Sequence, residues 1–401
     1  MRRKLDLRTG RPVWFAYRAP RVPAGPLTRD ARCDVLVVGM GISGALVADT
    51  LAEAGLSVIA IDRRGPMKGS TPATTALVQY ELDQPLTRLA RQVGSGRAAE
   101  AWRRSRLGVA NLAGRVRALG IDCRLGEHPS LYLAGDDLGA DALAAEAQAR
   151  RAAGLAAQFL DRRALREGYG IGREAAIRSP GNLTLDPRRL TAATLLRAAG
   201  NGAKLHAPAE AIRLVHSASE VTVETRDGPT VRAGHVVLAT GYELMEAVPN
   251  VPHSIVSTWA IATRPRQPGW AEDALIWEAS DPYLYLRRTR DGRIICGGED
   301  EPFSDEAARD ALIGEKSALI ARKLERLLPA VDPTPDYAWT GSFGTTSTGM
   351  PFIGRIPRRP RLFAVLGYGG NGITFSQIAS EIVGNLIRGH DDTDAALFGF
   401  R

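Results

Sequence analysis

Residues 35–44 read VLVVGMGISG, an apolar run that opens straight into Gly39, Gly41 and Gly44 at the spacing G-x-G-x-x-G. Residues 42–54 then carry Ile42, Ala45, Leu46, Ala48 and Leu51 at helical spacing. Gly55 stands where such a helix should stop, and SVIAID at 57–62 is a second apolar strand. Strand, glycine turn, helix and strand within about 30 residues make a βαβ unit, which commits the chain to an α/β fold with parallel strands. Each glycine has its own task at such a turn. Gly39 permits the tight bend, Gly41 lets the backbone approach a pyrophosphate, and Gly44 lets helix and strand pack closely. The helix start at Ile42 and Ser43 turns unpaired N–H groups and a positive dipole end toward the phosphates. Asp62, 18 residues past Gly44, ends the second strand where a carboxylate takes two ribose hydroxyls. Arg63 and Arg64 beside it keep a 2′-phosphate open.

The 401 residues allow two domains and a sizeable core. The net charge of +8 comes mainly from arginines, but pairs such as Arg103-Arg104 and Arg162-Arg163 are scattered among acidic residues. No clustered basic face is expected, and hence no nucleic-acid partner; a field of this sign draws anionic substrates. Cys33, Cys123 and Cys296 are odd in number, far apart and form no CxxC. That argues for a reducing, cytoplasmic setting without a disulfide framework or zinc site. The first residues are basic but lack the apolar core of a signal peptide. The one long apolar run, 35–61, contains Asp49 and Glu53 and is explained by the βαβ unit, so no transmembrane segment is expected. The six histidines show no metal-ligand spacing, and no metal is expected.

Residues 1–29 read as an extended arm, with Trp14, Phe15 and Tyr17 docking it on the body. Residues 84–165 look largely helical. In 185–215, Asp186 caps a helix with Pro187 at its first position, running to Gly200, and a strand follows. Two hairpins turn at Asp227-Gly228 and Asp291-Gly292. Near the end, LFAVLGY is a strand, GYGGNGITFS a glycine-rich turn, and 373–388 a helix.

NAD and FAD share the glycine turn, so the rest of the chain must decide between them. Just past Asp62, Gly69, Ser70, Thr71, Thr74 and Thr75, with Leu77 at the end, form a small polar loop suited to a pyrophosphate or a flavin edge. VVLATG at 236–241, PFIG at 351–354 and GYGGNGIT at 367–374 follow in order. In this series the chain resembles the D-amino-acid oxidase family of flavoproteins, which includes glycine oxidase, sarcosine oxidase and D-amino-acid dehydrogenase, over about residues 33–390. The resemblance implies a resident FAD. It implies a discontinuous Rossmann-type FAD domain from 30–80, 160–243 and 335–390. A substrate domain, an antiparallel sheet with helices, takes 81–159 and 244–334, and 391–401 is a tail. Thr240 and Gly241 would pass the FAD, and Ala211 would hold the adenine side. Gly369, Gly370, Asn371, Gly372, Ile373 and Thr374 would flank the isoalloxazine, where backbone N–H groups stabilise charge on the reduced flavin.

The chemistry implied by the resemblance is oxidation of a C–N bond in an amino acid or secondary amine: a hydride passes to flavin N5 and the imine hydrolyses. In YLYLRR, Tyr283, Tyr285 and Arg287 share one strand face. Glycine oxidases carry a similar arginine, so Arg287 is the candidate anchor for a substrate carboxylate; Tyr283 and Tyr285 would wall the site and Arg288 would be solvated. Trp259 and Trp277 are either flavin-site or sheet aromatics. Sarcosine oxidases attach the flavin through a cysteine, but the comparable place is near Ser342 and no cysteine lies between 297 and 401; non-covalent FAD is expected. RIICGG lacks the lysine those oxidases place near the flavin. Both O2 and another electron acceptor therefore stay open. So do a quinone-linked dehydrogenase resting its basic arm on anionic lipid, a tRNA-modifying relative and a non-catalytic flavoprotein.

Overall fold

The strand Ala31–Val38 pairs in parallel with Val58–Ile61 on one side and Thr230–Leu238 on the other. Lys204–His206 and Leu362–Leu366 extend this arrangement in parallel outward, and Phe352–Arg355 closes one edge antiparallel. The hairpin Ala211–His216 and Val221–Thr225 continues from Thr230–Leu238, completing an eight-stranded sheet. This computed structural model describes residues 6–249, 252–366 and 369–400; Gly367 and Tyr368 of the C-terminal glycine motif lie outside the described residues.

The central strands are apolar on both faces because both are covered: Val35, Leu36, Val37, Val236 and Val237 are fully buried. On one face the helix Ile42–Glu53 packs against Pro187–Gly200 and Gly372–Ile387. The cap expected at Asp186 is present: its carboxylate accepts the N–H groups of Arg188 at 2.9 Å and Arg189 at 3.1 Å.

The second sheet has ten strands. Its order runs Arg8–Gly10, Pro335–Thr345, Ser254–Thr263, Ile294–Glu301, Leu284–Arg288, Leu275–Glu278, Gly126–Leu133, Ala175–Thr184 and Leu77–Val78, with Gln158–Asp161 also on Ala175–Thr184. All its pairings are antiparallel except Leu275–Glu278 with Gly126–Leu133.

Several expectations change here. Leu77–Val78, Ala175–Thr184 and Pro335–Thr345 lie in intervals expected for the FAD domain, yet they pair within the second sheet. The chain crosses between the sheets more often than contiguous intervals convey. The stretch 84–165 yields helices Leu86–Val93, Ser95–Ala118, Ala140–Ala152 and Arg162–Tyr169, but also the strands Gly126–Leu133 and Gln158–Asp161. Pro129 to Leu133 are buried without a break, so this strand carries no period-two pattern to separate it from a helix. In the arm, Trp14 and Tyr17 are buried as expected, whereas Phe15 stays 46 % exposed. The Arg8 and Arg188 guanidiniums sit 5.4 and 4.4 Å from its ring centroid.

Candidate active site

One cavity of about 900 Å³ is lined by residues of both sheets. Its first end is the glycine turn. Gly39 has φ +114°, and a Cβ there would lie 2.3 Å from the Ala239 carbonyl oxygen. Gly41 caps the helix Ile42–Glu53 without any side-chain hydrogen bond, so the helix start faces the cavity with only the Ile42 N–H taken, by Thr71 Oγ1 at 3.1 Å. Gly44 is not on the wall. A Cβ on it would stand 1.9 Å from Gly39 O, so it sets the closeness of helix to turn.

Asp62 sits at the mouth of this end. Its carboxylate accepts N–H groups from Met40 at 2.8 Å, Arg64 at 2.7 Å and Gly65 at 2.9 Å. Three donors fix the side chain against the cavity and leave its remaining lone pairs for a ligand. Arg63 and Arg64 both pair with Glu243, Arg64 through 2.7 Å at Nη2, and Arg63 also meets Glu210 at 3.2 Å. These acids occupy the guanidiniums that a 2′-phosphate would need.

The middle of the wall is built by Gly69, Ser70, Thr71, Thr74, Thr75 and Leu77 from one side, with Ala211, Thr240 and Gly241 from the parallel sheet. Gly369, Gly370, Asn371, Gly372 and Ile373 line it at the start of the C-terminal helix. Thr374 does not; it is fully buried, and its hydroxyl donates to Gln79 O at 2.7 Å, tying that helix to the segment after Leu77.

The family model for FAD dependent oxidoreductases matches residues 34–386. The chain belongs to this family. It is 22% identical over 398 residues to the probable oxidoreductase OrdL of Haemophilus influenzae, covering 95% of this chain and 89% of that protein. It is 23% identical to the gamma-glutamylputrescine oxidoreductase of Escherichia coli, with 92% and 86% covered. The glycine oxidase structure from Geobacillus kaustophilus superposes with a TM-score of 0.76 at 23% identity, over 92% of this chain and 99% of that one. The fold is that of the FAD dependent oxidoreductases: a Rossmann-type domain joined to a substrate domain.

In this FAD dependent oxidoreductase the far end of the cavity, away from the glycine turn, differs in character. It is walled by aromatic rings: Tyr242, Tyr283, Tyr285, Phe343, and Trp277 stacked on Tyr132 with centroids 3.8 Å apart. Tyr283 and Tyr285 both line this end. The Tyr283 hydroxyl donates to Asp300 Oδ2 at 2.7 Å, and burial raises the pKa of both phenols. Trp259 and Trp277 divide: Trp259 is core, its indole N–H on Arg309 O at 3.1 Å, and Trp277 is wall.

Arg287 does not line this cavity. Its Nη1 donates to Ala76 O at 2.8 Å and Leu185 O at 3.1 Å, and it borders a separate, smaller cavity with Trp14, Tyr17 and Arg124. Burial pushes its pKa down to about 10, so the side chain is a charged strut between loops. Arg288 is not simply solvated either; it pairs with Asp273 at 3.2 Å and donates to Gln267 O at 3.1 Å.

The residues that sequence reasoning missed are Tyr242, Glu81, Asp83 and Asp300, all on the wall. Tyr242 follows the ATG strand end directly, which was a usable signal. The carboxyls had none. Asp83 accepts the Gly370 N–H at 2.9 Å and the Asn371 amide at 3.1 Å. Its side chain is exposed, and it lines the cavity wall. Burial pushes its carboxyl up to about 6; the Gly370 N–H pulls down and Asp300 pushes further up.

Proposed function

We propose that this protein oxidises the C–N bond of a small amine, taking a hydride from the carbon and releasing an imine that water hydrolyses. The observation that carries this reading is one cavity with two chemically different ends. A glycine turn and a fixed carboxylate stand at one end, and an aromatic chamber on antiparallel strands at the other. The names of the relatives, a glutamylated diamine oxidoreductase and a glycine oxidase, support an amine or amino-acid substrate.

The residues present fit FAD. Ser70 Oγ, Thr240 Oγ1 and Gln79 Nε2 line the cavity, buried and without a hydrogen-bond partner, as polar groups are when their ligand is missing. The uncapped helix start suits a pyrophosphate, and Asp62 suits the ribose. When bound, FAD supplies the two-electron acceptor. The chain supplies the rest: the rings at the far end exclude water and hold the carbon chain, and the Thr258 hydroxyl stands among them beside Asp300 and Tyr285. In this reading FAD is bound non-covalently. Ser342 stands on the wall with its hydroxyl accepting from Arg309 Nη1 at 2.9 Å. Cys33, Cys123 and Cys296 are buried, and none lines the cavity.

The test is the visible spectrum of the purified protein under anaerobic titration with amines and amino acids. Loss of the oxidised-flavin band with one of them supports the reading, and admitting air then separates O2 from another acceptor. A protein without flavin, or a flavin that no amine reduces, overturns it.

A further inference from the structure

Four arginines line the cavity, and all stand at its nucleotide end. Arg63 and Arg64 pair with Glu243, Arg213 pairs with Glu224, and Arg359 meets His216. Among the described residues, no arginine or lysine lines the substrate end. What lines it is acid: Glu81, Asp83, Asp137, Glu278 and Asp300.

Two of these carboxylates are compensated within the protein. Asp137 meets Arg88 at 2.8 Å, and Glu278 meets Arg173. The other three are not fully matched. Glu81 is 2 % exposed and stands 4.0 Å from Arg150; its Oε1 accepts the Ser130 hydroxyl, while its Oε2 is buried without a partner. Asp300 takes the Tyr283 hydroxyl on Oδ2 and has the Thr258 hydroxyl beside it; both neighbours are neutral, and no arginine or lysine among the described residues pairs with it. Asp83 has only the amide donors of Gly370 and Asn371. Asp83 and Asp300 are close enough to repel each other, and both also act on Tyr283.

Carboxyls gathered in one cavity without a cation repel each other, and one with a buried oxygen is costly unless a ligand brings a positive charge. A substrate carboxylate here would meet like charge and no guanidinium. An ammonium would meet two carboxyls and the aromatic side chains of Tyr242, Tyr283 and Tyr285, a combination suited to a cation. The nitrogen of the bond being oxidised must be neutral, since its lone pair drives hydride release. The cation held by the acids is therefore a different nitrogen of the same molecule.

We propose that the substrate is an amine carrying a second, cationic nitrogen, of the diamine or polyamine class, held at that nitrogen by Asp83 and Asp300. This rests on the amine-oxidation reading above.

The test uses the FAD-loaded protein and three probes with four carbons each: 1,4-diaminobutane, butylamine and 4-aminobutanoate. Binding is read anaerobically from perturbation of the flavin spectrum, and reduction from its bleaching. The diamine should bind at least about tenfold more tightly than butylamine, with 4-aminobutanoate weakest, as expected for one charge-assisted contact. In Asp300→Asn the ratio of diamine to butylamine affinity should collapse toward one. A structural defect would weaken both probes together and keep the ratio. If Asp300→Asn does not retain FAD, Asp83→Asn gives the same reading. Tightest binding by 4-aminobutanoate, equal binding of all three, or binding of none overturns the proposal. A diamine that binds, with neither it nor any other amine bleaching the flavin, would leave the cation site standing and sink the oxidation reading. Bleaching by an amino acid alone would do the reverse.

Discussion

Arg287 Nη1 donates to the Ala76 carbonyl oxygen at 2.8 Å, and this bond ties the hairpin strand to the end of the loop that lines the nucleotide half of the cavity. The same nitrogen reaches Leu185 O at 3.1 Å. The arginine thus serves two buried carbonyls.

Arg287→Ala should cost stability more than specificity. Two acceptors are left without a donor, each worth ~1–3 kcal/mol when buried. Thermal unfolding should shift down by several degrees, while the folded, FAD-loaded fraction keeps its affinity for substrate. A steep rise in KM with unchanged melting would return Arg287 to the substrate site.

Gly44→Ala should abolish FAD retention. The new Cβ would stand 1.9 Å from Gly39 O, a backbone atom that cannot yield, so helix and turn must separate at the place where the phosphates sit. Overpacking of this kind costs ~1–3 kcal/mol or more. Flavin content after gel filtration checks it, and a fully yellow variant would contradict the arrangement.

Acid precipitation should leave a colourless pellet and a yellow supernatant. None of Cys33, Cys123 and Cys296 lines the cavity. A pellet that stays yellow after washing would mean a covalent link.

The affinity for 1,4-diaminobutane should rise between pH about 5 and about 7, through the titration of Asp83. Burial holds this carboxyl up to about 6, and Asp300, Tyr283 and Tyr242 face it. Below that value it is protonated and attracts a cation weakly; above it the ion forms. The sign for stability is opposite. Between about 4 and 6 the folded protein holds a proton that the unfolded chain has released, so this group's contribution to stability falls as pH rises through that window. Asp83→Asn should flatten the binding profile. A wild-type affinity that is level across the range would remove Asp83 from cation recognition.

The nucleotide end was legible because its determinants are local. Gly39, Gly41, Gly44 and Asp62 lie within one βαβ unit, and their spacing fixes which atoms meet. The polar loop from Gly69 to Thr75 and the glycine-rich turn before the helix Gly372–Ile387 were readable as motifs; residues of the loop and Gly369 to Ile373 line the cavity.

The aromatic end of the cavity was decided by tertiary structure. Strand alternation correctly put Tyr283, Tyr285 and Arg287 on one face, but it gives no position along the strand at which the cavity stops. Two residues add about 7 Å, and that step carries Arg287 past the chamber to Ala76 and Leu185. Asp83 and Asp300 are far apart in the sequence, one on a connection after Val78 and the other on an antiparallel strand. Only the closure of the ten-stranded sheet over the start of the C-terminal helix sets them against the same space. Their joint charge, without a matching cation, belongs to that closure. Period and spacing describe neighbours along a chain, and burial of a charge depends on everything folded around it.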